Sequence, residues 1–207
     1  MSEFQTKLAG RCELARLQLA APEAAQLEAY FDLLVRWNAR INLTALPLGG
    51  APDATIDRLF IEPLVAARSF PDSPLGWFDI GSGGGSPAIP LKVLRPAAQL
   101  TMVESRGRKA AFLRQAVREL ELIQTTVAEA RFDAIAPTNQ VDIVTIRAVR
   151  VDQPLADLCR RALRLGGKML LFQSSPVGSV QFGAGFGPAQ QVQLTNTPAF
   201  LGISEAI

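Results

Sequence analysis

Along the first third of the chain, apolar residues recur every three or four positions. Leu14, Leu17 and Leu19, then Leu27, Tyr30, Phe31, Leu34, Val35 and Trp37, keep that spacing, which predicts helices over residues 1 to about 70. Pro22 suits the first turn of the second helix, where its missing N–H is not needed. Pro47, Gly49, Gly50 and Pro52 interrupt the pattern, and residues 53–68 resume it with Ile56, Leu59, Phe60, Leu64 and Val65 apolar. Pro71, Asp72, Ser73 and Pro74 then form a boundary.

From residue 75 short apolar runs alternate with helical segments. Strands are predicted at 75–80, 100–103, 141–146 and 168–172, and helices near 86–94, 107–120, 130–136 and 153–164, the last ended by Gly166 and Gly167. Residues 190–194 and 200–204 are candidate closing strands. The alternation predicts an α/β protein with a doubly wound, Rossmann-like sheet of parallel β-α-β units. The domain reading is a helical extension over 1–72 and a sheet domain over 73–207.

Composition narrows the function. With 48% hydrophobic residues in 207 the chain can build a substantial core. It shows neither a run long enough for a membrane span nor an apolar signal core after its first charges, so a soluble, cytoplasmic protein is expected. There is no histidine, and Cys12 and Cys159 are the only thiols. A zinc site therefore lacks ligands, no metal is expected, and mechanisms with a histidine base are excluded. Net charge is only +2, yet Arg106, Arg108, Lys109, Arg114 and Arg118 stand close together with only Glu104 and Glu119 against them. Such a stretch reads either as a phosphate-facing patch or as a solvated helix face.

The most informative stretch runs Phe78-Asp79-Ile80-Gly81-Ser82-Gly83-Gly84-Gly85-Ser86, an acid and spaced glycines where a strand turns into a helix. Ser86 breaks the dinucleotide fingerprint, and the Gly-Lys of a phosphate loop is missing. At the end of the next strand stands Glu104, where a carboxylate can accept bonds from both ribose hydroxyls of a nucleoside cofactor. Acid, spaced glycines and a second acid form the pattern of S-adenosylmethionine methyltransferases. Asp79, Gly81, Ser82, Gly83, Gly85, Ser86 and Glu104 are the candidate cofactor residues; a structural turn with a helix-capping Glu104 is the alternative.

Methyl transfer from a sulfonium depends mainly on alignment, so a chain without histidine can catalyse it. Neither a Pro-Cys nucleophile nor an [Asp/Asn]-Pro-Pro-aromatic string is present. Ring nitrogen 7 of guanine needs neither, which makes it compatible without being selected.

Trp37, Asn38, Asn42, Leu43 and Thr44 match W-N-x-x-x-N-L-T, and Pro87-Ala88-Ile89-Pro90-Leu91 matches P-G-I-P-L after the glycine loop. Ser105-Arg106-Gly107-Arg108-Lys109-Ala110-Ala111-Phe112-Leu113 matches S-x-G-[KR]-[KR]-x-x-F-L. With these strings the chain resembles the bacterial 16S ribosomal RNA guanine-7 methyltransferases, the glucose-inhibited division protein B family. The resemblance implies a methyltransferase that uses S-adenosyl-L-methionine and acts on 16S ribosomal RNA or the small ribosomal subunit. It assigns Phe132 and Asp133 to the adenine and Arg147 to the cofactor or acceptor side, as the catalytic candidate. It also sets Arg106, Arg108 and Lys109 against RNA. A monomer is expected.

Several positions depart from the family. Its R-H-x-x-D-S reads Arg58-Leu59-Phe60-Ile61-Glu62-Pro63, its mid-loop proline is Gly84, the apolar residue that follows is Ser86, and its Leu-Lys-Gly falls on Leu171-Phe172-Gln173-Ser174, without the lysine and with Gln173 in its place. Two alternatives stay open: a methyltransferase with another acceptor, and a non-catalytic ribosome- or RNA-binding factor. For Arg147 the competing reading is a salt bridge to Asp152 or Asp157. For Trp37, Asn38 and Asn42 it is packing and capping at a helix end.

Overall fold

A computed structural model of the chain describes residues 1–71, 75–135, 140–174, 182, 184–195 and 198–207. The boundary residues Asp72, Ser73 and Pro74, and the end of the helix expected at 130–136, lie outside the described residues.

The strands are β1 (Gly76–Ile80), β2 (Gln99–Val103), β3 (Thr125–Ala128), β4 (Val141–Arg147), β5 (Leu163–Gln173), β6 (Gln190–Gln193) and β7 (Phe200–Glu205). They form one sheet in the order β3-β2-β1-β4-β5-β7-β6. The first five are parallel, and β7 runs antiparallel between β5 and β6. Helices α5 (Ala88–Leu94), α6 (Gly107–Glu119) and α7 (Gln153–Ala162) follow β1, β2 and β4. The chain thus steps outward from β1 to β3 and then returns to the other side of β1. Sheets of this kind bind ligands beyond the carboxyl ends of the strands at that reversal, here between β1 and β4.

Local sequence explains these elements. Ile143, Val144, Thr145 and Ile146 are all buried, as befits a parallel strand covered on both faces. In α6, Ala110, Phe112, Leu113 and Ala116 face the core while the arginines point outward. The Asp152 side chain caps α7, accepting from Leu155 N at 3.0 Å.

The sequence expectation fails in three places. β3 is short and half polar, too weak a pattern to be read as a strand. The helix expected at 130–136 is a 3-10 turn, Phe132–Ala134. α7 stops at Ala162, so Gly166 and Gly167 do not end it; they lie within β5, where pairing with β4 jumps from Val141–Leu163 to Ile143–Lys168.

The extension comprises α1 (Glu3–Leu14), α2 (Ala21–Asn38), α3 (Asp53–Ile56), a π turn (Asp57–Ile61), α4 (Glu62–Ala66) and a 3-10 turn (Ala67–Ser69). Leu14 and Val35, expected in its core, are exposed. Phe4 stacks on Phe31 with centroids 4.6 Å apart, and Phe60 meets Phe4 at 5.0 Å and Tyr30 at 5.5 Å. This aromatic cluster is continuous with Trp77, Leu100 and Ile143, so extension and sheet share one core. No helix among the described residues is long and apolar enough to cross a membrane.

Buried Tyr30 ties the two parts together by donating to Gly84 O at 2.7 Å. Tyr30→Phe leaves that carbonyl without its partner and should cost about 1 to 2 kcal/mol. Tyr30→Ala adds a cavity and should cost about 3 to 5 kcal/mol. Urea unfolding checks both, and a Phe variant as stable as the wild type would show that the bond contributes nothing.

Candidate functional site

At the end of β1 the backbone must turn sharply under crowded surroundings. Gly81 has φ +72°, and a β-carbon there would lie 2.6 Å from Val149 Cγ2; Gly85 has φ +92°, and its β-carbon would lie 2.5 Å from Ile89 Cδ1. Both positions exclude a side chain by backbone strain and by contact. Gly81 N and Ser82 N donate to Val103 O at 2.8 and 3.1 Å, which fastens the loop to the end of β2. Beside them Glu104 accepts from Gly83 N and Arg106 N, both at 2.9 Å. This carboxylate therefore joins the glycine loop to the start of α6, as the structural alternative requires. Each oxygen keeps a further lone pair for a hydroxyl donor.

Asp79 is 1% exposed. Its Oδ1 accepts from the Thr145 hydroxyl at 2.5 Å, and Thr145 in turn accepts from Trp77 Nε1 at 2.8 Å. Oδ2 has no partner among the described residues. Burial pushes the carboxyl up to about 6, with the Thr145 hydroxyl and the Arg147 charge pulling the other way.

Arg147, at the end of β4, is largely enclosed as well. Nη2 donates to Glu62 Oε2 at 2.9 Å, Nη1 donates to Ser86 Oγ at 3.2 Å and to Arg58 O, and the guanidinium lies 4.5 Å from the Phe172 ring centroid. Side-chain exposures of 8% and 3% for Arg147 and Glu62 make this a buried pair. Burial pulls Arg147 down to about 10, against the opposing charge of Glu62, and it stays cationic at neutral pH. Burial pushes Glu62 up while Arg147 and Arg58 hold it down. The partner of Arg147 is thus Glu62, not Asp152, which caps α7, nor Asp157, which accepts from Gln153.

Two clefts meet at this edge. The first, about 360 Å³, is lined by Glu104, Phe132, Asp133 and Leu155, among others. Phe132 packs edge-on against Phe78 at 5.8 Å, and half-exposed Asp133 pairs with Arg131 at 3.1 Å. The second, about 450 Å³, is lined by Ser82, Gly83, Ser86, Arg58, Lys109 and Arg147, with Thr44 and Leu46 of the extension on its wall. Gly81, Glu104, Ser105 and Val149 line both. Arg106 and Lys109 reach the second cleft; Arg108 is exposed and lines neither. Arg114 is taken up by Glu129 at 2.8 Å. The joined clefts offer an aromatic floor, a carboxylate at the middle and a glycine wall, a set that fits a nucleoside carrying a polar arm.

Sequence reading passed over Arg58 and Glu62 as site residues. Their signal was two opposite charges four residues apart within an apolar helical run. In the Trp-Asn motif, Asn38 Oδ1 accepts from Leu43 N and Thr44 N at 2.9 and 3.0 Å, and Trp37 packs on Phe112 while donating to Gln115. Capping and packing therefore account for those two residues.

A model of the family described as rRNA small subunit methyltransferase G matches residues 23–177. The protein of that name from Roseiflexus sp. (strain RS-1) is 38% identical over 165 residues, 78% of this chain and 69% of that protein. Its namesake from Xanthomonas axonopodis pv. citri (strain 306) is 40% identical over 154 residues, 73% and 69% of the two chains. Among solved structures, a SAM dependent methyltransferase from Aquifex aeolicus is similar in fold, with TM-score 0.60 and 13% identity over 75% of this chain and 94% of that one.

The enclosed carboxyl of Asp79 makes stability depend on pH. Its folded value near 6 lies above the ordinary 3.8, so its contribution is fully present below about pH 4 and is lost as pH rises through 6, by about 2 to 3 kcal/mol in all. Asp79→Asn carries no charge to bury. Relative to the wild type it should therefore gain by about that amount between roughly pH 4 and 7.5. Urea unfolding at the two pH values measures the difference, and a constant one would reject burial as the cause.

Proposed function

The chain belongs to the rRNA small subunit methyltransferase G family, and from that premise we propose that it methylates ring nitrogen 7 of a guanine in 16S ribosomal RNA of the small subunit, using S-adenosyl-L-methionine. The observation that carries this reading is the junction of two clefts at Glu104 and the glycine loop, placed at the β1–β4 reversal. The match spans 65 to 69% of the length of the curated relatives. The working division is a helical extension over 1–72 and a methyltransferase domain over 73–207 acting as a monomer in the cytoplasm.

When bound, the cofactor supplies an electrophilic methyl group on a sulfonium. In this reading Glu104 accepts from the ribose hydroxyls with the lone pairs its backbone bonds leave free. Phe132 supplies an apolar face to the adenine, and Asp133 accepts from its amino group. Asp79, Gly81, Ser82, Gly83, Gly85 and Ser86 shape the wall beside the amino-acid arm. Arg147 works as a positioning residue, because its donors fix Ser86 and the Arg58 backbone on the cofactor side. Arg106 and Lys109 at the cleft and Arg108 on the adjoining surface contact RNA phosphates. Guanine nitrogen 7 attacks through an in-plane lone pair and loses no proton, so aligning the base and keeping water out suffice.

Incubating the protein with labelled cofactor and small subunits or naked 16S RNA should yield 7-methylguanosine on nucleoside analysis. The chemical step should be nearly flat from about pH 7 to 8.5. Arg108→Ala and Lys109→Ala should each lower the salt slope of RNA binding by roughly one unit. Label on a carbon, an exocyclic amine or a protein side chain rejects the assignment. Cofactor binding with no label anywhere favours the non-catalytic reading.

A further inference from the structure

Opposite the glycine loop, the larger cleft contains a guanidinium that its surroundings hold in place. Arg58 projects from the π turn and donates from Nη1 to Glu62 Oε2 at 2.9 Å, while its side chain remains 26% exposed. The backbone there is fixed too. Arg58 O accepts from Arg147, and Leu59 O accepts from the Ser86 hydroxyl at 2.9 Å. π turns leave carbonyls available for such side-chain donors and recur at functional sites.

With a ribose at Glu104 and the adenine toward Phe132, the other arm of the nucleoside must enter the larger cleft, since the two clefts share only the residues around Gly81 and Glu104. That arm carries a carboxylate, and moving a carboxylate out of water is costly unless a cation meets it. Four cations line the cleft: Arg58, Arg106, Lys109 and Arg147. Arg147 is already engaged by Glu62, Ser86, the Arg58 carbonyl and Phe172. Arg106 and Lys109 stand on the α6 side, the former exposed and the latter half-buried, with a single ammonium near Gly83 that has no planar fork. Arg58 offers a planar fork that matches a carboxylate with two parallel bonds, and Glu62 fixes its orientation beforehand.

We propose that Arg58 is the carboxylate-binding residue of the larger cleft and receives the amino-acid arm of the cofactor. This inference rests on the proposed function above. Decarboxylated S-adenosylmethionine differs from the cofactor only in that group, so calorimetric titration of both ligands isolates it. The wild type should prefer the carboxylated ligand by about ten- to a hundredfold, the usual size of a charge-assisted pair. Arg58→Gln should erase the preference by weakening that ligand alone. Arg58→Lys keeps the charge beside Glu62, gives a second folded variant, and should retain part of the preference; Lys109→Ala should retain all of it. Equal weakening of both ligands by Arg58→Gln overturns the assignment, because Arg58 then only supports the wall. So does a preference lost in Lys109→Ala, or one kept in Arg58→Gln while RNA affinity falls. A wild type that binds neither ligand overturns the cofactor reading and this assignment with it, whereas the other adverse outcomes overturn only the assignment.

Discussion

The buried pair between Glu62 and Arg147 joins the helical extension to the sheet at the point where the strand order reverses. Two charges so enclosed persist only in each other's company; removing one partner of such a pair typically costs about 3 to 5 kcal/mol, because the other is left buried and uncompensated. The extension is therefore fastened to the end of β4 by a contact that it cannot release at low cost. Around this pair the remaining contacts follow. Arg147 also holds the Arg58 carbonyl and the Ser86 hydroxyl, and Ser86 reaches Leu59 O.

One consequence is that the glycine loop is supported from outside the sheet domain. Tyr30 donates to Gly84 O, and a β-carbon at position 84 would stand 3.2 Å from Leu43 O. The other side of the loop is held by Glu104 and by Val103 O. A loop fixed on both flanks presents its backbone in one arrangement, which lowers the entropy lost when a ligand binds. The helical extension thus shapes the glycine loop as well as the wall of the larger cleft.

The fold was legible where local pattern and tertiary environment agree. Ile143 to Ile146 are buried on both faces and most of the run before Gly81 is buried, so apolar continuity announced their strands. β3 depends on pairing with β2 more than on its own residues, and the β5 bulge depends on register with β4; neither is a property of a local window. Leu14 and Val35 follow helical spacing yet face solvent, because periodicity does not say which edge of an apolar stripe the neighbours reach. At the site, Glu104 and the glycines were marked by their own spacing. The partner of Arg147 was not, because Glu62 lies 85 positions away while Asp152 and Asp157 are near in sequence.

Several of the departures from the family pattern lie at or next to Arg147. Ser86, where the family has an apolar residue, supplies a hydroxyl to Arg147. Glu62, one methylene longer than the family's aspartate, reaches both Arg147 and Arg58. Phe172, beside the Gln173 that stands in the place of the family's lysine, lies 4.5 Å from the guanidinium. The ring attracts the cation. Leu59, in the place of the histidine, contributes its carbonyl to Ser86. Arg147 is thus packed by an aromatic face, a longer acid and a hydroxyl. These contacts hold the arginine in one position on the wall of the larger cleft, which Arg58, Ser86 and Arg147 line together.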